Sequence, residues 1–220
     1  MNNNISIVKT LDGSQTIKLA DLDEHYHSTN GAIQESLHVF INNGFRCIDK
    51  NEISVFEVGF GTGLNAMLTF VEAEKCNKKV NYTGVELYPI GEDIFTQLNY
   101  AEILNIDKHK YYLPLHTCEW DKDIELSQNF TLTKINIDLN KYNTNKHFDI
   151  IYFDAFAPDK QSELWTKTVF DKMFSMLSFG GVLVTYSSKG EVKRNMRDSG
   201  FTVKRLQGAV GKHHMIKGYK

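Results

Sequence analysis

Residues 56–63 read Phe-Glu-Val-Gly-Phe-Gly-Thr-Gly, an acid and three alternate glycines directly behind an apolar run. The dinucleotide fingerprint asks for G-x-G-x-x-G. Here Gly59, Gly61 and Gly63 place the third glycine one residue early, and position 64 is Leu. A pyrophosphate wants backbone N–H donors and a positive helix terminus, and Glu57 sets a carboxylate beside them. The pattern suits a ligand whose cationic amino-acid end lies against bare main chain around Phe60. S-adenosylmethionine, with an ammonium and a sulfonium but no phosphate, is such a ligand.

Two further acids fit the same ligand. Glu86 closes the next apolar run and can accept both ribose hydroxyls, as an acid does in nucleotide-binding sheets. Asp138 closes the one after and can accept from an adenine amino group. Each acid alone reads equally well as a helix cap or a solvated loop residue; the cofactor reading comes from their succession at three strand ends. The fourth run, FDIIYF, ends in Asp154-Ala155-Phe156-Ala157-Pro158. A transferase of this layout presents its acceptor there, although Asp154 alone also reads as a cap on the following segment. Phe156 offers an aromatic face to a base, and Pro158 fixes the course of the loop. Tyr26 and His27 stand in a polar stretch that can close over the cofactor.

The formal charge of −2 hides a polarity. From Lys189 to Lys220 there are nine Lys or Arg against two acids, a local +7 that leaves −9 for the rest. A basic segment on an acidic body is the footprint of a polyanion such as RNA, although a solvated tail has the same composition. Lys189, Lys193, Arg194, Lys212 and His213 are the candidate phosphate contacts.

These groups need a frame, and the chain alternates strand and helix patterns from about Ile53 onward. ISVFEV, VNYTGVE, FTLTKINID, FDIIYF and GVLVTYSS read as strands. Gly63–Cys76 and Glu92–Leu104 read as helices, as does ELWTKTVFDKMFSML with a stop at Phe179-Gly180-Gly181. EVKRNMRDSG follows as a helix, then FTVKRL and HMIKGYK as an antiparallel pair. Such alternation specifies an open, mainly parallel α/β sheet with helices on both faces. Before it, ISIVKT and TIKLA flank an Asp12-Gly13 turn as a hairpin, and AIQESLHVFINN shows helical spacing. The expected division is an extension over residues 1–50 and a core over 51–220. Cys47, Cys76 and Cys118 form no C-x-x-C pair, so neither a disulfide framework nor a metal site is expected. The opening MNNNISIVKT lacks a secretion-signal layout. No apolar run is long enough for a membrane, and a cytoplasmic protein is expected.

Taken together, FEVGFGTGLN, GVELYP, YFDAFAPDK with ELWT, and GGVLVTYSSKGEVKRNMRDSGF resemble one family. It is the methyltransferase half of the bacterial bifunctional enzyme that finishes 5-methylaminomethyl-2-thiouridine at the tRNA wobble position. HSTNGAIQESLHVF and AVGKHHM resemble its flanking segments, so the likeness runs from about Tyr26 to Met215. Ser36, where the pattern has Thr, and His213-His214, where it has basic residues, depart from it. The resemblance implies a Rossmann-like class I methyltransferase fold and S-adenosylmethionine-dependent methylation of the aminomethyl group of 5-aminomethyl-2-thiouridine. It implies a tRNA anticodon stem-loop as partner and Asp154 as the acid beside the acceptor amine. The flavin-dependent oxidase that follows in the bifunctional enzyme has no counterpart before Lys220, so a stand-alone form working with a separate oxidase is expected. The residues alone also admit a methyltransferase for a protein or small-molecule amine, a nicotinamide-dependent oxidoreductase, or a non-catalytic RNA-binding module.

Overall fold

The computed structural model describes residues 5–220; Met1–Asn4, which open the expected extension, lie outside them. Three strands come first, β1 (Ile5–Lys9), β2 (Gln15–Leu19) and β3 (Glu24–His25), in an antiparallel sheet of that order. β1 and β2 form the expected hairpin, with Gly13 at φ 86° in its turn. The two-residue β3 has no periodicity to announce it. Helix α1 (Ala32–Ser36) continues into one turn of π-helix over Leu37–Asn42. Ile17, Leu19, Ala32 and Ile33 join the same apolar cluster as residues of the main sheet.

The main sheet is built from β4 (Glu52–Val58), β5 (Lys79–Glu86), β6 (Asp123–Ser127), β7 (Phe130–Asn136), β8 (Phe148–Phe153), β9 (Leu177–Thr185), β10 (Thr202–Gln207) and β11 (His214–Tyr219). Their order is β10-β11-β9-β8-β4-β5-β7-β6. The five strands from β9 to β7 are parallel, as expected, and β10–β11 is the expected antiparallel pair. β6, which pairs antiparallel with β7 at the far edge, is an addition. Its DIELS is polar and short, and only its neighbour makes it a strand.

Period-two alternation sorts the strand residues between two faces. Ile53, Val55, Ile150 and Tyr152 enter the cluster with helix α2 (Leu64–Cys76). Phe56, Val58, Ile151 and Phe153 enter the opposite one. Four short helices follow β5: α3 (Glu92–Phe95), α4 (Tyr100–Ile103), α5 (Lys108–Tyr111) and α6 (Leu113–Thr117). The other long helices are α7 (Lys167–Met176) and α8 (Gly190–Asp198), which bury Val169, Phe170, Val192 and Met196 in the second cluster.

Two helix expectations are corrected. The helix read over Glu92–Leu104 is α3 and α4 with a break between them. Asn99 leaves helical geometry there, and its side-chain amide donates to the Gly13 carbonyl at 3.1 Å, exchanging a local bond for a tertiary one. The glycines read as the stop of α7 lie inside β9, because the chain enters the strand directly at Leu177. The β8–β9 register shifts beside them, and Gly180 takes φ 77°, as a bulge requires.

Candidate active site

The parallel register aligns the chemistry. Val58 pairs with both Val85 and Phe153, so Gly59, Glu86 and Asp154 each follow one residue past a single row. From β4 the chain runs to β5 on one side and later returns to β8 on the other. The crevice between such diverging connections is where open α/β sheets hold ligands.

The glycine turn is built for close approach. Gly59, Gly61 and Gly63 all have positive φ, at 82°, 50° and 69°. A Cβ at Gly59 would stand 2.8 Å from the Asp154 carbonyl oxygen, and one at Gly61 would stand 3.2 Å from the Tyr26 ring. Gly59 and Phe60 donate their N–H groups to the Val85 carbonyl. The Thr62 carbonyl accepts from the Tyr112 hydroxyl and from His116 Nε2, both at 3.1 Å. The Phe60 side chain is buried against Gly84, so its contribution to the crevice is main chain.

Glu86 lies alongside. Gly61 N–H donates to its Oε2 and Tyr88 N–H to its Oε1, each at 2.9 Å. A carboxylate accepts about four hydrogen bonds, so two positions are left for ribose hydroxyls. Leu87 and Tyr88, exposed next to it, add apolar surface that the sequence reading did not use. Asp138 sits two residues beyond β7, and its Oδ1 accepts the Asn140 N–H at 2.9 Å, capping its own turn. The bare turn and the open lone pairs of Glu86 fit an adenosyl ligand without phosphate.

Glu57 is buried on the α2 face of the sheet, 1% exposed, and this burial pushes its carboxyl well above the usual range. It reaches the site through Asn65, a residue the sequence reading passed over. The Asn65 amide nitrogen donates to Glu57 Oε1 at 2.9 Å and to Asp154 Oδ2 at 2.8 Å. One Asp154 oxygen is thereby fixed and the other left free. Burial raises the Asp154 carboxyl to about 7; the Asn65 hydrogen bond opposes the rise, Glu35 adds to it and Lys212 opposes it.

The loop after Asp154 is clamped by groups that the sequence reading also missed. Phe156 N–H donates to Gln161 Oε1 at 3.1 Å, and its carbonyl accepts Trp165 Nε1–H at 2.8 Å. The Ala155 carbonyl accepts the Tyr186 hydroxyl at 2.8 Å. Pro158 is half-buried in this loop. Tyr26 joins the two halves of the site, lying against Gly61 and meeting Phe156 edge-on at 5.1 Å. Burial, with the charge of Glu86, raises its phenol. His27 is held neutral, lowered to about 4 by burial and then by Lys212, with Asp12 opposing.

The basic candidates divide. Lys212 is not a free tail cation: its ammonium is paired with Glu35 and lies over Tyr186. Lys189 is paired with Asp159. Lys193 and the exposed Arg194 lie on α8. Lys193, His213 and Arg205 gather around His214, whose imidazole is lowered by partial burial and then by those neighbours. Among the described residues no group of three His, Cys, Asp or Glu is placed to hold a metal, and no helix is long and apolar enough to cross a membrane.

A family model described as S-adenosyl-L-methionine-dependent methyltransferase matches residues 99–220. The chain belongs to this family. The cofactor is S-adenosylmethionine, which rules out the nicotinamide reading. The chain is 30% identical over 216 residues to the tRNA 5-methylaminomethyl-2-thiouridine biosynthesis bifunctional protein MnmC of Idiomarina loihiensis. That match covers 90% of this chain and 36% of the relative, so the methyltransferase spans about a third of the length of such proteins. The crystal structure of MnmC2 from Aquifex aeolicus has the same fold, with a TM-score of 0.77 at 24% identity over 99% of this chain and 70% of that one. The 1,6-didemethyltoxoflavin-N1-methyltransferase of Burkholderia thailandensis, solved with S-adenosylhomocysteine, shares the fold at a TM-score of 0.51 and 13% identity, covering 87% of this chain and 80% of that one.

Proposed function

We propose that this methyltransferase acts on the primary amine of 5-aminomethyl-2-thiouridine at the tRNA wobble position, giving 5-methylaminomethyl-2-thiouridine. The single observation that carries this reading is Asp154, anchored by Asn65 on one oxygen and shifted to about 7, one residue past β8 and against Gly59. The likeness to MnmC of Idiomarina loihiensis supports the substrate.

The bound cofactor supplies a methyl group on a sulfonium, and the Gly59–Gly63 main chain with Glu86 would hold it. An alkylamine is mostly protonated at neutral pH and must lose a proton before its lone pair can attack. An ordinary Asp, near 3.9, is a weak base for that task; one near 7 is matched to it. The free Asp154 oxygen accepts a hydrogen bond from the amine, aligns it and takes its proton. Alignment is the larger part of such a displacement. A wobble base is in a single-stranded loop and can be splayed onto aromatic faces without opening a duplex. Tyr26 and Phe156 offer those faces. Lys193, Arg194, Arg205 and His213 would bind the phosphates, an attraction that weakens with salt. A tRNA substrate also assigns the work to the cytoplasm.

The test is mass spectrometry of wobble nucleosides after incubating the protein and S-adenosylmethionine with tRNA from a strain lacking this gene. Conversion of the aminomethyl to the methylaminomethyl nucleoside is expected. Methylation of a protein or a free amine, with the wobble nucleoside unchanged, would replace this reading.

A further inference from the structure

Glu35 is a buried acid that the foregoing chemistry does not use. It is 7% exposed on α1, and its Oε2 accepts the Ser28 N–H at 3.1 Å. Its Oε1 lies 2.5 Å from Lys212 Nζ. The same Nζ lies 4.0 Å from the centroid of the Tyr186 ring, whose hydroxyl is fixed on the Ala155 carbonyl. Glu35 and Lys212 both act through space on Asp154, and Lys212 acts on neutral His27. The Lys212 ammonium thus lies between a carboxylate and an aromatic face whose hydroxyl is tied to the residue after Asp154. Those are the groups that recognise any primary alkylammonium. A lysine tip is one, and so is an aminomethyl group.

Lys212 keeps 30% of its side-chain surface exposed. It follows Gly211, which has φ 83°, in the loop between β10 and β11. It lines a groove of about 550 Å³ bounded by Gln34, His38, Gln207 and Val210.

We propose that Glu35, Tyr186 and Asp154 form the subsite for the acceptor's primary ammonium, and that Lys212 fills it in the RNA-free protein and yields it as the acceptor enters. This rests on the acceptor being a primary alkylamine, as above. Two ammonium groups at one carboxylate repel each other, so entry of one drives out the other. Glu35 holds the incoming charge, and Asp154 takes the proton.

The sign of a Lys212 substitution decides the matter. Lys212→Met removes the competitor, so KM for aminomethyl tRNA should fall about threefold to tenfold; loss of a phosphate contact would raise it. Lys212→Gln should change KM in the same direction. Glu35→Gln should raise KM at least about tenfold. A second readout needs no turnover, with methylammonium chloride as the probe and sodium chloride of equal ionic strength as control. Methylammonium should raise the Tm of Lys212→Met by about 2 °C, and leave wild type and Glu35→Gln/Lys212→Met unmoved. A rise in KM in both Lys212 variants, or no methylammonium response in a folded Lys212→Met protein, would overturn the proposal. A methylammonium response without turnover on aminomethyl tRNA would support the subsite and sink the acceptor assignment instead.

Discussion

Asp154→Asn keeps the size of the side chain and an oxygen for Asn65 to donate to, while removing both the charge and the basicity. With the carboxyl at about 7, roughly a tenth of it is ionised at pH 6 and nine-tenths at pH 8. Wild-type kcat/KM should therefore climb about tenfold per pH unit below 7 and bend there. The substrate amine contributes its own limb, but that limb survives in the variant, so the difference between the two profiles isolates Asp154. Loss of a general base costs about 10²- to 10⁴-fold in rate, and a loss of that size is expected at pH 8. Stability should move the opposite way. An acid raised from 3.8 to about 7 is disfavoured when charged, so its favourable contribution is full below pH 4 and lost as pH rises toward 7. At about 1.4 kcal/mol per pH unit the ceiling is roughly 4 kcal/mol. Asp154→Asn should thus melt higher than wild type at pH 8 and not at pH 4. Steady-state kinetics on aminomethyl tRNA and thermal melts at the two pH values measure both. Near-normal turnover, or a bend near 7 that persists in the Asn variant, would refute the assignment.

Three other changes separate the parts of the site. Asn65→Leu frees the anchored Asp154 oxygen and removes a bond that holds its carboxyl down, so kcat should fall at least about tenfold and the acidic bend move above 7. S-adenosylhomocysteine affinity, measured by calorimetry, should change only a few-fold, because Asn65 bonds Asp154 rather than the glycine turn. Gly61→Ala strains φ 50° and brings a methyl 3.2 Å from Tyr26, so the same calorimetry should show at least about a tenfold loss in a folded protein. Lys193→Ala with Arg194→Ala should weaken tRNA binding and flatten its dependence on salt by up to about two in log–log slope, read by filter binding; an unchanged slope would remove α8 from the RNA surface.

Much of the framework was legible because local patterns agree with the global fold. The five parallel strands, α2, α8 and the terminal hairpin each carry their own periodicity and stop signals. What failed were places where a tertiary partner outbids the local pattern: Asn99 breaking a helix to reach Gly13, and Gly180-Gly181 drawn into β9 by its pairing with β8. β3 and β6 are strands only because a neighbour supplies the ladder.

The sequence by itself determined the glycine turn, the acids Glu86 and Asp154 at their strand ends and the loop after Asp154, since those are contiguous motifs whose spacing carries their meaning. Only the tertiary structure decided how the acids are placed. Register brought Gly59, Glu86 and Asp154 level, sank Glu57 behind Asn65, and turned Asp138 onto its own loop. It also took Lys212 out of the basic tail and set it against Glu35, 177 positions earlier in the chain. A charge count cannot register such a pairing, because an ion pair depends on distance in space, and only the packed sheet fixes that distance.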